Sequence, residues 1–285
     1  MITIGTRGSA LALAQARLVA ERFGPDVEIR VLRTAGDTSD RPIRELGDGV
    51  FVAAIEEALR AGDIDLAVHS LKDLPTEESA DLLIAAIPER EDPRDVLVTR
   101  SRQGLAGLPQ GAVVGTSSPR RAAFLRALRA DAACREIRGN VDTRLRKVQS
   151  GEYDAVVVAA AGLRRLGIAF DDGEALPVDL CPPAPGQGAL AVQVRLDDDE
   201  TRARVAPLDH AATRIAVTAE RALLRLMGGS CEIPLGAIGR LQDGDVVLDA
   251  ALAGDEGVRR ASARGGDPFD VALRVADVLG AAAHV

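Results

Sequence analysis

His69, Ser70, Lys72 and Asp73 place four polar groups within five positions, directly after the apolar run Leu66-Ala67-Val68. A carboxylate at the carboxyl end of a buried strand can face a cleft and steady a cation that develops beside it. Lys72 would stand there as a compact point charge. The plain alternative is a polar turn with a surface Lys–Asp pair, and the position after a buried strand favours the first reading. Three further stretches combine small and cationic residues: Gly5-Thr6-Arg7-Gly8-Ser9, Gly115-Thr116-Ser117-Ser118-Pro119-Arg120-Arg121 and Arg138-Gly139-Asn140-Val141-Asp142-Thr143-Arg144. In the second, hydroxyls hold helix-cap positions and Pro119 suits a first helical turn. Backbone N–H groups, three hydroxyls and two guanidiniums are then expected to converge on one anion. In the third, Asn140 is the expected cap. Any one of these is an ordinary capped helix with solvated arginines. Three at equivalent strand ends point to a ligand with several carboxylates or phosphates. No P-loop or Gly-x-Gly-x-x-Gly fingerprint supports a nucleotide.

A fifth stretch, Gly228-Gly229-Ser230-Cys231-Glu232-Ile233-Pro234, carries a cysteine on a glycine-rich loop. Most unpaired cysteines are small apolar fillers; on such a loop a thiol can instead be an accessible nucleophile that carries a covalent group. Cys134 and Cys181 lack comparable surroundings and read as fillers. The three cysteines and three histidines are scattered, so neither a disulfide framework nor a metal site is expected.

The elements that must position these residues are built from aliphatic side chains. Of the 285 residues 47% are hydrophobic, with no Trp, one Tyr and five Phe. Stacking platforms for single-stranded nucleic acid are disfavoured by that scarcity, and a net charge of −8 argues against a general binder of nucleic acid or anionic membranes. Yet between Thr116 and Arg146 eight arginines stand against three acids, so one lobe is basic within an acidic chain. Only Lys72 and Lys147 are lysine. The chain starts as a strand with no secretory signal, and no stretch has transmembrane length; a cytoplasmic, metal-free protein is expected.

Strand and helix signals alternate through the first two-thirds. Strands are expected at 2–6, 27–32, 66–68 and 82–87, and helices after Ser9 and over 50–61, with Gly62 as a stop. The rhythm restarts after 88–93, with strands at 96–99, 113–115, 136–138 and 155–159 and helices at 119–130, at 141–150 and around Leu163. A strand follows at 189–195. Such a pattern implies open α/β sheets. Two proline-bearing crossings, near 88–94 and 182–189, imply a chain that leaves one lobe, builds a second and returns, with a ligand cleft between the lobes. The tail reads as a long helix (212–227), strands at 233–241, 246–253 and 258–264 with a hairpin turn at Asp243-Gly244-Asp245, and a final helix over 268–283. This is a small α+β unit with an antiparallel sheet. The expected domains are 1–88 with 189–206, 94–182, and 211–285.

Together these motifs resemble the porphobilinogen deaminase (hydroxymethylbilane synthase) family. The matching segments run in order along nearly the whole chain: 5–15, 67–75, 89–95, 115–121, 138–145, 186–189, 217–222 and 228–234. The resemblance implies three domains, the first two arranged like periplasmic binding proteins and the third a small α+β domain with a three-stranded antiparallel sheet. It implies a transferase of tetrapyrrole and heme biosynthesis that joins four porphobilinogen units head to tail, each losing ammonia, to give linear hydroxymethylbilane. The chain would grow on a dipyrromethane cofactor held by a thioether to Cys231. Asp73 matches the catalytic aspartate that holds pyrrole N–H groups and stabilises the cationic azafulvene. Arg7, Arg138, Arg144, Arg165 and Gln187 match substrate- and chain-binding positions, and Ser9 and Phe51 line the substrate site. Lys72, Ser70, Thr116, Ser118, Arg120 and Arg121 match contacts to the cofactor. A monomer without metal, membrane or nucleic-acid partner is implied. Two departures stand out. The segment 44–50 carries Glu45 and Asp48 where many bacterial members have two flap lysines, leaving Arg44 as its one cation, and Ser230 replaces a glycine.

Two other readings compete. A two-lobed anion-binding protein without catalysis would use the same lobes but has no use for a Cys231 domain. A regulatory effector-binding domain would need a DNA-binding helix-turn-helix or basic arm, and none is evident.

Overall fold

The structure, a computed structural model, describes residues 1–34, 52–77, 79–169, 173–229, 232–254 and 257–280. Its first elements are β1 (Ile2–Arg7), α1 (Ala10–Ala20), β2 (Val27–Leu32), α2 (Ala53–Arg60), β3 (Leu66–Ser70) and β4 (Leu82–Ala86). There follow β5 (Asp95–Thr99), β6 (Val113–Gly115), α3 (Pro119–Leu128), β7 (Ala133–Arg135), α4 (Val141–Gln149), β8 (Ala155–Ala159), α5 (Ala160–Arg165) and β9 (Gly173–Ala175). The chain continues through β10 (Leu190–Arg195), α6 (Asp199–Val205), α7 (Ala211–Leu226), β11 (Leu235–Gln242), β12 (Asp245–Gly254), β13 (Gly257–Gly265) and α8 (Pro268–Leu279). It divides into two compact units, Met1–Glu91 with Ala189–Arg214, and Asp92–Gly188 with Ile215–Val285.

The first unit holds a five-stranded sheet in the order β2-β1-β3-β10-β4. β1 pairs in parallel with β2 and β3, whereas β10 runs antiparallel to β3 and β4. Side chains alternate across the sheet. Ile2, Ile4, Leu66, Val68, Val192 and Val194 pack with Ala16 and Val19 of α1. Ala67 faces the other way, toward Ile55, Ala58 and Leu59 of α2 and toward Ile64. Burial on both faces explains why Leu66-Ala67-Val68 reads as an apolar run without alternation. Each fully buried aliphatic side chain contributes roughly 1.5–3 kcal/mol. Gly5 suits this packing, because a Cβ there would lie 2.2 Å from Ile64 Cδ1 and that buried side chain would have to move.

The second unit repeats the pattern in the order β7-β6-β8-β5-β9. β6 is parallel to β7 and β8, and β5 is antiparallel to β8 and β9. Along β8, Ala155 and Val157 join one core with Phe124 and Leu125 of α3, while Val156 and Val158 join another with Val148 of α4 and Leu163 of α5. This unit also contains the three-stranded antiparallel sheet β11-β12-β13. Val246, Leu248 and Ala250 of β12 pack under α7 and α8, and the alternate residues Ala251 and Ala253 pack into the α3 core. The β11–β12 turn is a tight hairpin with positive φ at both Asp243 (52°) and Gly244 (86°), as a type I′ turn demands.

Several expected boundaries move. The strand expected at 136–138 lies instead at Ala133–Arg135, where it pairs with β6. The Ile137 backbone is taken by a side chain: Ser117 Oγ donates to Ile137 O at 2.6 Å and accepts from Ile137 N at 3.3 Å. The helix expected to reach 130 ends at Leu128. The final helix ends at Leu279 rather than 283, because Gly280 turns left-handed at φ 77°. Asn140 holds the cap position of α4, but its side chain makes no capping bond. β9 and α6 were not foreseen; α6 starts where the Asp198 side chain accepts from Thr201 N. Residues 50 and 51 of the expected second helix lie outside the described residues. Among the described residues no helix is long and apolar enough to cross a membrane, and no cluster of three or more His, Cys, Asp or Glu could hold a metal ion.

Candidate active site

In the first unit β1 and β3 are adjacent and parallel, so their carboxyl ends bring Arg7, Ser9 and Asp73 to one edge. There an open pocket is lined by residues that include Thr6, Arg7, Ser9, Gln15, Ser70 and Asp73. Ser9 caps α1 by accepting from Ala12 N at 3.2 Å. Asp73 ends a single 3-10 turn, Leu71–Asp73. That turn is fixed by buried Leu71, whose N–H donates to Ala189 O at 3.0 Å. The Asp73 side chain is exposed, and no hydrogen bond or ion pair occupies its carboxylate among the described residues. Lys72 precedes it, half-buried. Ser70 is held by Gln15, whose Nε2 donates to Ser70 Oγ at 2.9 Å. His69, one residue earlier, also lines the pocket but is 6% exposed. Burial pushes its imidazole down to about 4, against a smaller opposing effect of Gln193, so it is neutral at pH 7.

In the second unit the carboxyl ends of β6, β7 and β8 carry the arginine loops. The hydroxyls of the β6–α3 loop serve the loop itself. Thr116 Oγ1 accepts from Ser118 N at 3.2 Å, and Ser118 Oγ caps α3 by accepting from Arg121 N at 3.3 Å. Arg120 and Arg121 do not stand open beside them. They are 4% and 8% exposed and both bind Asp95, which is fully buried. Arg120 Nη2 donates to Asp95 Oδ2 at 2.6 Å and Arg121 Nη2 to Asp95 Oδ1 at 2.7 Å. Burial alone would raise the Asp95 carboxyl; the two guanidiniums outweigh it and hold the group far below the usual carboxylate range. Gln187 is buried too, donating from Nε2 to Pro93 O at 2.7 Å and to Asp95 Oδ1 at 2.9 Å.

Arg144 is placed differently. Its Nε donates to Gly139 O at 2.8 Å. Burial, and then repulsion from Arg121, lower its guanidinium to about 10. Gly139 can present that carbonyl because its φ is 106°. Arg120 and Arg121 thus share the single carboxylate of Asp95, and Arg144 adds a third positive charge close enough to Arg121 to be repelled by it, leaving a local excess of positive charge. Arg138 is half-buried with Glu136 Oε1 3.6 Å from its Nε. Arg165 Nη2 donates to Gly188 O at 2.6 Å. Cationic donors and capped loops of this kind fit carboxylate arms.

The structure therefore groups Arg7, Ser9, Ser70, Lys72 and Asp73 at one sheet edge, and Thr116, Ser118, Arg120, Arg121, Arg138, Arg144, Arg165 and Gln187 along the corresponding edge of the second sheet. Phe51, Ser230, Cys231 and the segment 44–50 lie outside the described residues. Asp95 and Gln15 were not singled out from sequence. Asp95 had a signal, an acid opening the apolar strand Asp95–Thr99. So did Gln15, an amide on the buried face that α1 forms with Ala16 and Val19.

The chain is matched by two family models: "Porphobilinogen deaminase, dipyromethane cofactor binding domain" over residues 2–203 and "Porphobilinogen deaminase, C-terminal domain" over 214–281. It is 48% identical to a porphobilinogen deaminase of Roseiflexus sp. (strain RS-1), covering 98% of this chain and 95% of that protein. It is 51% identical to one from Mycolicibacterium paratuberculosis (strain ATCC BAA-968 / K-10), over 89% of this chain and 83% of the relative. Among solved structures, an ABC transporter / periplasmic binding protein from Brucella ovis with glutathione bound has a TM-score of 0.43 at 18% identity, covering 79% of this chain and 68% of that one.

Proposed function

Because the chain belongs to the porphobilinogen deaminase family, we propose that it carries out that reaction with Asp73 as its catalytic carboxylate. The enzyme is a transferase that condenses porphobilinogen with release of ammonia, and its cofactor is dipyrromethane. Four units are joined to linear hydroxymethylbilane. When bound, the cofactor supplies a tethered pyrrole from which the chain is extended. We assign its attachment to Cys231, and its carboxylate arms to Ser70, Lys72, Thr116, Ser118, Arg120 and Arg121.

The observation that carries the reading is the Asp73 pocket: an exposed carboxylate without a partner among the described residues, at a sheet edge shared with Arg7 and Ser9. Asp73 accepts the substrate's pyrrole N–H. As ammonia departs, the ring becomes cationic, and the fixed carboxylate lowers the energy of that charge more than that of the neutral ground state. Arg7 binds an acetate or propionate arm and sets the ring's orientation, with Ser9 and Phe51 lining the site. Arg138, Arg144 and Arg165 bind arms of the growing chain. The local positive excess around Arg144 favours this, since an incoming carboxylate relieves the repulsion from Arg121.

Three domains, 1–88 with 189–206, 94–182 and 211–285, are proposed for the chain; their support is three separate sheets, the third of which packs one face under α7 and α8 and lends Ala251 and Ala253 to the core of the second. We propose that the enzyme works as a cytoplasmic monomer without metal or nucleic acid. The test is Asp73→Ala. Turnover of porphobilinogen should fall by about 10²–10³, with stability changed by less than about 0.5 kcal/mol because the side chain is exposed. Near-normal turnover would remove Asp73 from its role.

A further inference from the structure

β5 runs antiparallel to β8, with Asp95 opposite Ala159. Its amino end therefore lies at the same edge as the carboxyl ends of β6 and β8, where the arginine loops stand. That reversal alone delivers an acid into a basic cluster. The acid is not a surface counter-ion: Asp95 has no exposed surface. Oδ2 accepts from Arg120 at 2.6 Å, and Oδ1 accepts from Arg121 Nε at 3.0 Å, from Arg121 Nη2 at 2.7 Å and from Gln187 Nε2 at 2.9 Å. Most of the remaining donors end on backbone carbonyls. Arg120 Nη1 donates to Pro182 O at 2.5 Å, Arg121 Nη1 to Val157 O at 3.2 Å, and Gln187 Nε2 to Pro93 O at 2.7 Å.

Two guanidiniums and an amide directed at one carboxylate make a carboxylate seat. Here the protein's own side chain fills it. We infer that Asp95 is a positioning residue for the anion site: it occupies the seat between Arg120 and Arg121, fixes both, and leaves Arg144 beside them as the cation for an incoming carboxylate. This rests on the reading of the second unit's arginines as holders of pyrrole carboxylate arms, and it adds a support beneath Arg120, Arg121 and Gln187. The same carboxylate ties the segments that carry the chain into and out of the second unit. Pro93 lies on the first, Pro182 and Gln187 on the second; Pro93 O accepts from Gln187 and Pro182 O from Arg120, and both of those side chains also bind Asp95. A shift of Asp95 should therefore move the arginine loops together.

Two variants test this. Asp95→Asn keeps the shape and removes the charge. Asp95→Glu keeps the charge but displaces both guanidiniums by one methylene, and supplies a folded variant should the neutral one fail to fold. In the purified proteins the share carrying covalent dipyrromethane is read by intact mass, and KM and kcat for porphobilinogen are measured on the loaded fraction. The loaded share is expected to fall several-fold and KM to rise about tenfold, with kcat within threefold of wild type. A core ion pair without a positioning role would lower the melting temperature alone. A loaded wild type together with folded variants whose loading and KM stay within twofold of it overturns the inference. A wild type without covalent dipyrromethane overturns the functional reading and this inference with it.

Discussion

Asp73 and Asp95 stand at the ligand edges of similar sheets, and their surroundings give them opposite roles. Asp73 is exposed and has no internal partner among the described residues, so its charge is available to a substrate. Asp95 is sealed between two arginines and acts only through them. His69 shows a third outcome. Burial holds its imidazole at about 4, whereas an unfolded chain's histidine titrates near 6.5. Below pH 6.5 the unfolded chain takes up a proton that the folded chain refuses. Stability is therefore full above about pH 6.5 and is lost progressively as pH falls toward 4, by about 3 kcal/mol from this group. Urea unfolding at pH 7 and pH 4.5 should show an acid loss that is smaller by about 2–3 kcal/mol in His69→Gln than in wild type. An identical acid loss in both proteins would mean that the histidine is protonated in the fold. The sequence pointed to Asp73 and His69 because both sit in one dense polar motif. It did not point to Asp95, whose partners are 25 and 26 residues away and are brought to it by strand order.

At the scale of elements, caps and turns decided most boundaries. Ser9, Ser118 and Asp267 each accept a backbone N–H at the start of their helices. Asp267 caps α8 with two bonds, from Phe269 N at 2.8 Å and Asp270 N at 2.9 Å. Asp267→Ala should lower stability by about 1 kcal/mol and leave KM and kcat unchanged, since α8 packs on the third sheet and carries none of the assigned site residues. A change in KM would link that helix to the site. Elements with a strong local signature were legible: the strand Val27–Leu32 and the hairpin at Asp243-Gly244 were read from residue types alone. The failures have local causes as well. Glu136-Ile137-Arg138 has strand-like alternation, but Ser117 takes the Ile137 backbone and pairing shifts to Ala133–Arg135. Asn140 is a good cap by type, yet its side chain leaves the α4 N–H groups alone.

At the scale of the molecule, two sheets share one strand pattern, four strands running one way and a single reversed strand in the fourth place of the order. In each the reversed strand, β10 or β5, is the one next to a passage of the chain between units. The proline-bearing crossings betrayed those passages in the sequence, which is why the departure and return of the chain were legible. The register that puts Asp95 at the arginine edge was not, because spacing along a chain does not say which strand runs backward. The two-domain family match and the order of eight motifs agree on what the whole is for: a carboxylate-rich pyrrole chain built on a tethered primer. The intact mass of the purified protein tests that most directly. The wild type should exceed its 29.8 kDa chain by one covalent dipyrromethane, and Cys231→Ser should return it to the bare chain mass. A wild type at bare mass, or an excess that survives loss of the thiol, would contradict the account.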